Sequence, residues 1–225
     1  MKSSALIIVA KNEIQGIKKL FPDIPISLFN EIHYFDGNSK DGSLEFFKNY
    51  SNILTYNNVS KGEIYNKAVE ITKCENLVFF APDGNEDPKC IPILLEKLND
   101  GDMCIASRFL KGSVNEEDDK ILPLRKWANQ TFSFLVNLHL KSNISDTING
   151  FRSIKRKLIT EVKPDITKKG FDIEFQITIR AIKLNKKILE IPTIEYPRIT
   201  GQTNAKSIPI GLLMLRRFII EIYMK

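Results

Sequence analysis

The chain has 225 residues, 43% hydrophobic and 27% charged, enough for one globular domain with a real core. Its formal net charge of +6 comes from dispersed lysines and arginines, with no aromatic-interleaved basic stripe or nucleic-acid motif, so nucleic acid is set aside as a partner. Three scattered cysteines, Cys74, Cys90 and Cys104, have no metal spacing and read as reduced thiols, and neither a signal-peptide pattern nor a spanning apolar stretch occurs, so the expectation is a soluble or peripheral cytoplasmic chain.

The first half alternates strand and helix signals. Ala5–Ala10 is β-rich, and Asn12 with Gln15 predicts a capped helix start. Glu31–Asp36 is the next predicted strand, followed by a polar turn and a helix through Phe46 and Phe47. Ile53–Tyr56 reads as a short strand, Gly62–Thr72 as a helix, and the continuous apolar run Asn76–Ala81 as a buried strand. Asp87 and Pro88 supply a cap and a first-turn proline for a helix over Ile91–Leu98, and Asp102–Ser107 is a further strand. This alternation predicts an α/β domain with a mainly parallel central sheet and helices on both faces.

Beyond it, an acidic stretch, Asn115 to Asp119, reads as a solvated loop that can order over a crevice. Pro123 opens a helix to about Leu140 that carries Leu124, Trp127, Ala128, Thr131, Phe132 and Leu135 on one side. A strand over Ile148–Ile154, a helix over Phe171–Leu184 and a strand over Lys187–Ile191 follow. The segment from Ile208 to Lys225 is apolar but broken by Arg216, Arg217 and Glu221. It reads equally as a core or dimer helix and as an amphipathic membrane contact, with Arg216, Arg217 and Lys225 at anionic headgroups.

In an open parallel sheet, ligands bind beyond the carboxyl ends of the strands. Lys11-Asn12-Glu13, the stretch from Asp36 to Gly42, and Asp83-Gly84-Asn85 all follow predicted strands. Asp83 and Asn85 present two oxygens suited to Mg2+ or Mn2+, although the same tripeptide is also ordinary turn chemistry. Asp36 suits a base or ribose, or equally the cap of the next helix. His33 and His139 stand apart and read as structural. The chain lacks a dinucleotide-binding GxGxxG, a phosphate-binding GxxxxGK[ST] and a GxSxG elbow.

Eight segments then stand in a familiar order: ALIIVAKNE, FDGNSKDGS, KGEIYNKAV, LVFFAPDGNEDP, IASRF, DTINGFR, GFDIEFQI and IPTIEYPRITG. Together, from Leu6 to about Lys206, they resemble family-2 glycosyltransferases, in particular the branch with dolichol-phosphate mannosyltransferase and bacterial polyprenyl-phosphate glycosyltransferases. Lys11 stands where that family has tyrosine, Gly37 replaces the second aspartate of an Asp-Asp-Gly-Ser segment, and Asn85 replaces the second aspartate of its metal-binding Asp-x-Asp.

The resemblance implies a GT-A fold spanning 1–225. A nucleotide-sugar-binding half would occupy 1–110, an acceptor half 111–207 and an amphipathic C-terminal helix 208–225. It implies inverting, metal-dependent transfer from a nucleoside-diphosphate sugar to a polyprenyl phosphate or glycan, in cell-surface polysaccharide biosynthesis. Asn12, Glu13, Asp36, Lys61, Asp83 and Arg108 would bind the donor, and Asp83 with Asn85 would hold the metal. Arg152, Arg198 and Lys206 would bind acceptor or phosphate. A hydroxyl acceptor would need a base, Asp146 first or Glu174 second, whereas an ionised lipid phosphate would need none. A homodimer and contact with the cytoplasmic membrane face are further expectations. A catalytically reduced nucleotide-sugar-binding or scaffolding protein is the alternative.

Overall fold

The structure, a computed structural model, describes residues 2–166, 170–199 and 207–224. Its seven strands are β1 (Ser4–Ala10), β2 (Glu31–Asp36), β3 (Leu54–Tyr56), β4 (Asn76–Phe80), β5 (Met103–Ser107), β6 (Arg152–Lys155) and β7 (Ile188–Pro192). They form one sheet in the order β3-β2-β1-β4-β6-β5-β7, in which only β6 runs antiparallel to its neighbours. The helices are α1 (Ile14–Leu20), α2 (Ser43–Lys48), α3 (Ile64–Ile71), α4 (Cys90–Lys97), α5 (Leu124–Leu140), α6 (Arg156–Val162), α7 (Ile173–Lys183) and α8 (Ser207–Ile219).

Strand alternation divides the core. Ala5 and Ile7 of β1, with Leu77 and Phe79 of β4, face α3, α6 and α7. Leu6, Ile8, Val78 and Phe80 point to the other side, where Ile17, Phe47, Ile91 and Leu94 cover them from α1, α2 and α4. Both faces of these strands are buried, which is why they read as unbroken apolar runs. A third cluster, Val136, Phe175, Ile179, Met214 and Phe218, lies outside the sheet and packs α5 and α8 onto α7.

β1 pairs with β2 and β4 in parallel, with Ala10 opposite Asp36 and Ile8 opposite Phe80. The three strand ends therefore lie side by side. From β1 the chain winds outward through β2 to β3, then returns to place β4 on the other side of β1. That reversal is the switch point at which an open α/β sheet leaves a crevice.

Several local expectations differ. Asn12 does not cap α1: it has φ +58°, its side-chain oxygen accepts from the Lys40 amide, and its own amide donates to Ser39. The first turn is held from a distance instead, because Ile14 N–H donates to Asp41 at 2.9 Å and Glu13 N–H to Ser43 at 3.1 Å. Asp87 accepts from the Lys89 amide in the turn before α4 rather than capping the helix itself. The strand expected from Ile148 begins at Arg152, because residues before it turn around the Asp146 carboxylate. On α5 the expected apolar side is buried only in part: Phe132 and Leu135 pack on the core, but Leu124 and Trp127 are 63% and 50% exposed, while Ser133 and Val136 face inward.

Candidate active site

A cavity of about 720 Å³ opens beyond the carboxyl ends of β1, β2 and β4, walled on its far side by α5 and α8. The turn after β4 lines it. Gly84 there has φ +107°, and an added Cβ would stand 2.7 Å from the Ile199 amide nitrogen, so a side chain is excluded on both counts. The segment from Glu195 to Ile199 crosses this turn. Tyr196 N–H donates to the Asn85 carbonyl at 3.2 Å, Ile199 N–H to the Asp83 carbonyl at 3.0 Å, and the Asn85 side-chain amide to the Tyr196 carbonyl at 2.6 Å.

This crossing delivers Arg198 to Asp83, whose Oδ2 accepts from Nη1 at 2.6 Å; the other guanidinium arm pairs with Glu13. Gly16 lets α1 approach, since a Cβ there would lie 2.1 Å from the Pro82 carbonyl oxygen. Burial pushes the Glu13 carboxyl up to about 7, against the opposing pull of Arg198. Burial likewise raises Asp83, and Arg198 again works the other way. Glu86, whose Oε2 accepts from the Ala81 amide at 2.7 Å, is driven well above the carboxylate range by burial and then by Asp83.

Lys61, carried by a turn with a Ser60/Glu63 capping box, stands 4.9 Å over the Phe171 ring and 3.8 Å from Glu174. Lys11 lines the mouth with its stem against Gly37, where a Cβ would lie 3.0 Å from that of Lys11. These two departures from the family pattern are therefore neighbours: the missing side chain makes room for the lysine.

Glu13, Lys61, Asp83, Asn85, Arg108, Glu174 and Arg198 thus all line one cavity. Asn12 and Asp36 do not. Asp36 is fully buried and accepts from the Tyr34 hydroxyl at 2.9 Å and the Ser39 amide at 2.8 Å, so it shapes the turn instead of facing a ligand. Asp146 is also fully buried and does not line the cavity. It takes Arg108 through Nε at 2.7 Å and Nη2 at 3.0 Å, and accepts the amides of Arg108, Ile148 and Asn149. Burial would raise its pKa, but Arg108 overrides this and holds it low. A carboxylate so engaged positions Arg108 and has no lone pair free for a substrate proton. Arg152 lies wholly inside the fold, donating to the Asn149 and Glu174 carbonyls and to Thr178, so it meets no acceptor. Lys206 lies outside the described residues.

Three cavity residues carried no sequence signal of their own: Glu86, Arg125 and Glu195. Glu195 reaches Arg108 at 3.4 Å and Arg125 at 3.5 Å, and is raised by burial against both arginines. The acidic stretch is not simply solvated. Glu116 pairs with Arg125 and accepts from Asn85 at 2.9 Å, while Glu117 is buried and accepts the Lys126 amide at 2.9 Å. It ties α5 to the Asp83 turn. Arg217, expected at headgroups, is buried too, held by Asp172 at 2.7 Å and Asp165 at 3.0 Å; Lys225 lies outside the described residues.

The model of glycosyl transferase family 2 matches residues 5–163. The chain belongs to that family, and its fold is that of the GT-A glycosyltransferases. It is 26% identical to an undecaprenyl-phosphate mannosyltransferase of Micrococcus luteus over 136 residues, 60% of this chain and 55% of that protein. It is 22% identical to glycosyltransferase AglD of Haloferax volcanii over 142 residues, 62% of this chain and 22% of that one. The matched region thus spans about half of the first relative and about a fifth of the second. Among solved structures, glucosyl-3-phosphoglycerate synthase of Mycobacterium tuberculosis, in complex with Mn2+, UDP and phosphoglyceric acid, superposes with a TM-score of 0.75 at 15% identity. That likeness covers 99% of this chain and 79% of the synthase; the same enzyme with Mg2+ and UDP also gives 0.75.

Proposed function

We propose that this chain transfers a sugar, with inversion, from a nucleoside-diphosphate sugar to a polyprenyl phosphate at a membrane surface. The observation that carries the acceptor is the outer face of the cavity wall. Along α5, Leu124, Trp127, Phe134 and Leu138 fall on one stripe, and along α8, Leu212, Leu215 and Ile219 fall on another; all are exposed. Val136, Met214 and Phe218 point the opposite way, into the core. Leu124 of the exposed stripe also lines the cavity, so the apolar surface runs up to its mouth. Among the described residues no helix is long and apolar enough to cross a membrane. A face of this kind suits shallow contact with a bilayer, Arg216 standing exposed beside it for anionic headgroups.

The chemistry suits this acceptor. A phosphate oxygen attacks the anomeric carbon from the side opposite the leaving group. The bond from that carbon to the diphosphate breaks, and its electron pair departs with the nucleoside diphosphate. The nucleophile is already ionised, so no residue need take a proton, and Asp146 is in no position to take one. Lys61 and Arg198 bring positive charge to the phosphates, and Asp146 holds Arg108 rigidly at the cavity wall. Asp83, with its carboxylate at the crevice, fits a divalent cation, which when bound would neutralise charge on the leaving diphosphate. On this reading the enzyme works at the cytoplasmic membrane face, making lipid-linked sugars for surface polysaccharides. A homodimer through the same apolar stripes is the competing use of that surface.

Incubation with candidate nucleotide sugars and undecaprenyl phosphate in phosphatidylglycerol-containing liposomes should yield a glycosylated lipid phosphate, and the protein should float with the liposomes. Leu138→Glu with Leu215→Glu should abolish flotation without unfolding. Equal flotation of both forms, or a shift from dimer to monomer in place of lost flotation, would refute the membrane contact. Glu174→Gln separates the acceptors: transfer to the lipid phosphate should persist, whereas a hydroxyl acceptor served by Glu174 as base would lose it.

A further inference from the structure

Glu13, after β1, and Asp83, after β4, come from loops on either side of the switch point, yet both grip one guanidinium, that of Arg198. Two acids closing on one cation mark a place built for positive charge. Arg198 fills it imperfectly. Glu13 is only 7% exposed, and its Oε2 is buried with no hydrogen-bond partner; the Arg198 Nε is buried and unpartnered as well. Buried polar atoms are nearly always paired, so an orphaned carboxylate oxygen on a residue that lines the cavity points to an absent ligand. Asn85 has its side-chain nitrogen fixed by Glu116 and the Tyr196 carbonyl, and it brings no charge.

We infer that Glu13 is the second carboxylate of a divalent-cation site with Asp83, and that Arg198 holds the cation's place in the donor-free protein. Mg2+ or Mn2+ takes one or two carboxylates and leaves its remaining positions to phosphate oxygens. Two acids meeting here from separate loops supply the charge that an Asp-Gly-Asn sequence lacks. A guanidinium cannot lose its proton, so it competes with the metal for both acids until a stronger anion draws it off. The donor diphosphate is such an anion, and its bidentate geometry suits an arginine fork. Cation and donor then favour one another, each weakening the hold of Arg198; this last step rests on the nucleotide-sugar reading above.

The test is Mn2+ binding without nucleotide, read by electron paramagnetic resonance of the free ion. Arg198→Gln should bind Mn2+ at least about tenfold more tightly than the unaltered protein. Adding Glu13→Gln should cancel that gain, and Asn85→Ala should change affinity by less than about twofold. Should Glu13→Gln fail to melt cooperatively, Glu13→Asp, which withdraws the carboxylate by one methylene, should show the same loss. Unchanged or weaker binding by Arg198→Gln, no measurable binding by either form, or a loss that follows Asn85 instead of Glu13 would overturn the inference. UDP and GDP are titrated separately. If neither binds while Mn2+ behaves as expected, the nucleotide-sugar reading fails and the cation site stands.

Discussion

At the scale of single residues, the site is organised by arginine–carboxylate pairs of two kinds. Arg108 and Asp146 form a closed pair: both are largely buried, and the carboxylate is satisfied by backbone amides as well. Removing the charge of Asp146 strands a buried guanidinium. Asp146→Asn should therefore cost about 3–5 kcal/mol in chemical denaturation. Because Arg108 holds the Asp146 carboxyl low, the unfolded chain takes up that proton first as pH falls. The stability it lends is complete above about pH 4, the ordinary aspartate range, and is lost as pH drops through the lower native pKa. The variant should lack that part of the acid limb in a pH series of melting temperatures; an unchanged limb would show that the pair contributes nothing. Arg198 is the open kind, since it leaves the Glu13 Oε2 and its own Nε without partners. A structural bridge would satisfy both.

At the scale of elements, α5 and α8 carry two unlike faces. Met214 and Phe218 anchor α8 on Val136, Phe175 and Ile179, and Arg217 joins it to Asp172. The helix is therefore part of the core and not a detachable tail, so removing it would open the fold rather than simply release a membrane contact. Phe218→Ala should destabilise by about 3–5 kcal/mol through lost burial and a residual cavity. Leu215→Ala, on the outward stripe at 44% exposure, should stay within about 0.5 kcal/mol. Urea titration of the two distinguishes them, and equal effects would mean that the outward stripe is buried in solution. The acidic stretch before α5 shows a similar division. Its charges read as solvated, but Glu116 and Glu117 bind Arg125, Asn85 and the start of α5.

At the scale of the molecule, the crevice is shared between the sheet's switch point and a helical wall held by the third hydrophobic cluster and by the Arg217–Asp172 and Arg125–Glu116 pairs. A donor that bridges them should stabilise the whole fold. With Mn2+ and the correct nucleotide sugar at about 100 times its dissociation constant, the linkage gain is about 2.7 kcal/mol, seen as a raised melting temperature. EDTA should remove most of that gain. A shift indifferent to EDTA would show that the donor binds without the cation.

The local chemistry of the chain determined much of this. Runs such as Leu77–Phe80 read as strands buried on both faces, and turns rich in Asp, Gly and Asn follow them at the crevice edge, so the α/β class and the places of Glu13 and Asp83 were legible beforehand, whereas Arg198 came from the family resemblance alone. The ordered motifs extended this to the family. What tertiary structure decided was which charge meets which. Asp146 and Arg152 look like site residues in the sequence, yet one is spent on Arg108 and the other on buried carbonyls. Glu13 and Asp83 are far apart in the chain and close on one guanidinium because β1 and β4 are neighbours. The work of an ionisable group is set by burial and by its partners across the fold, and neither is a property of the residues beside it in sequence.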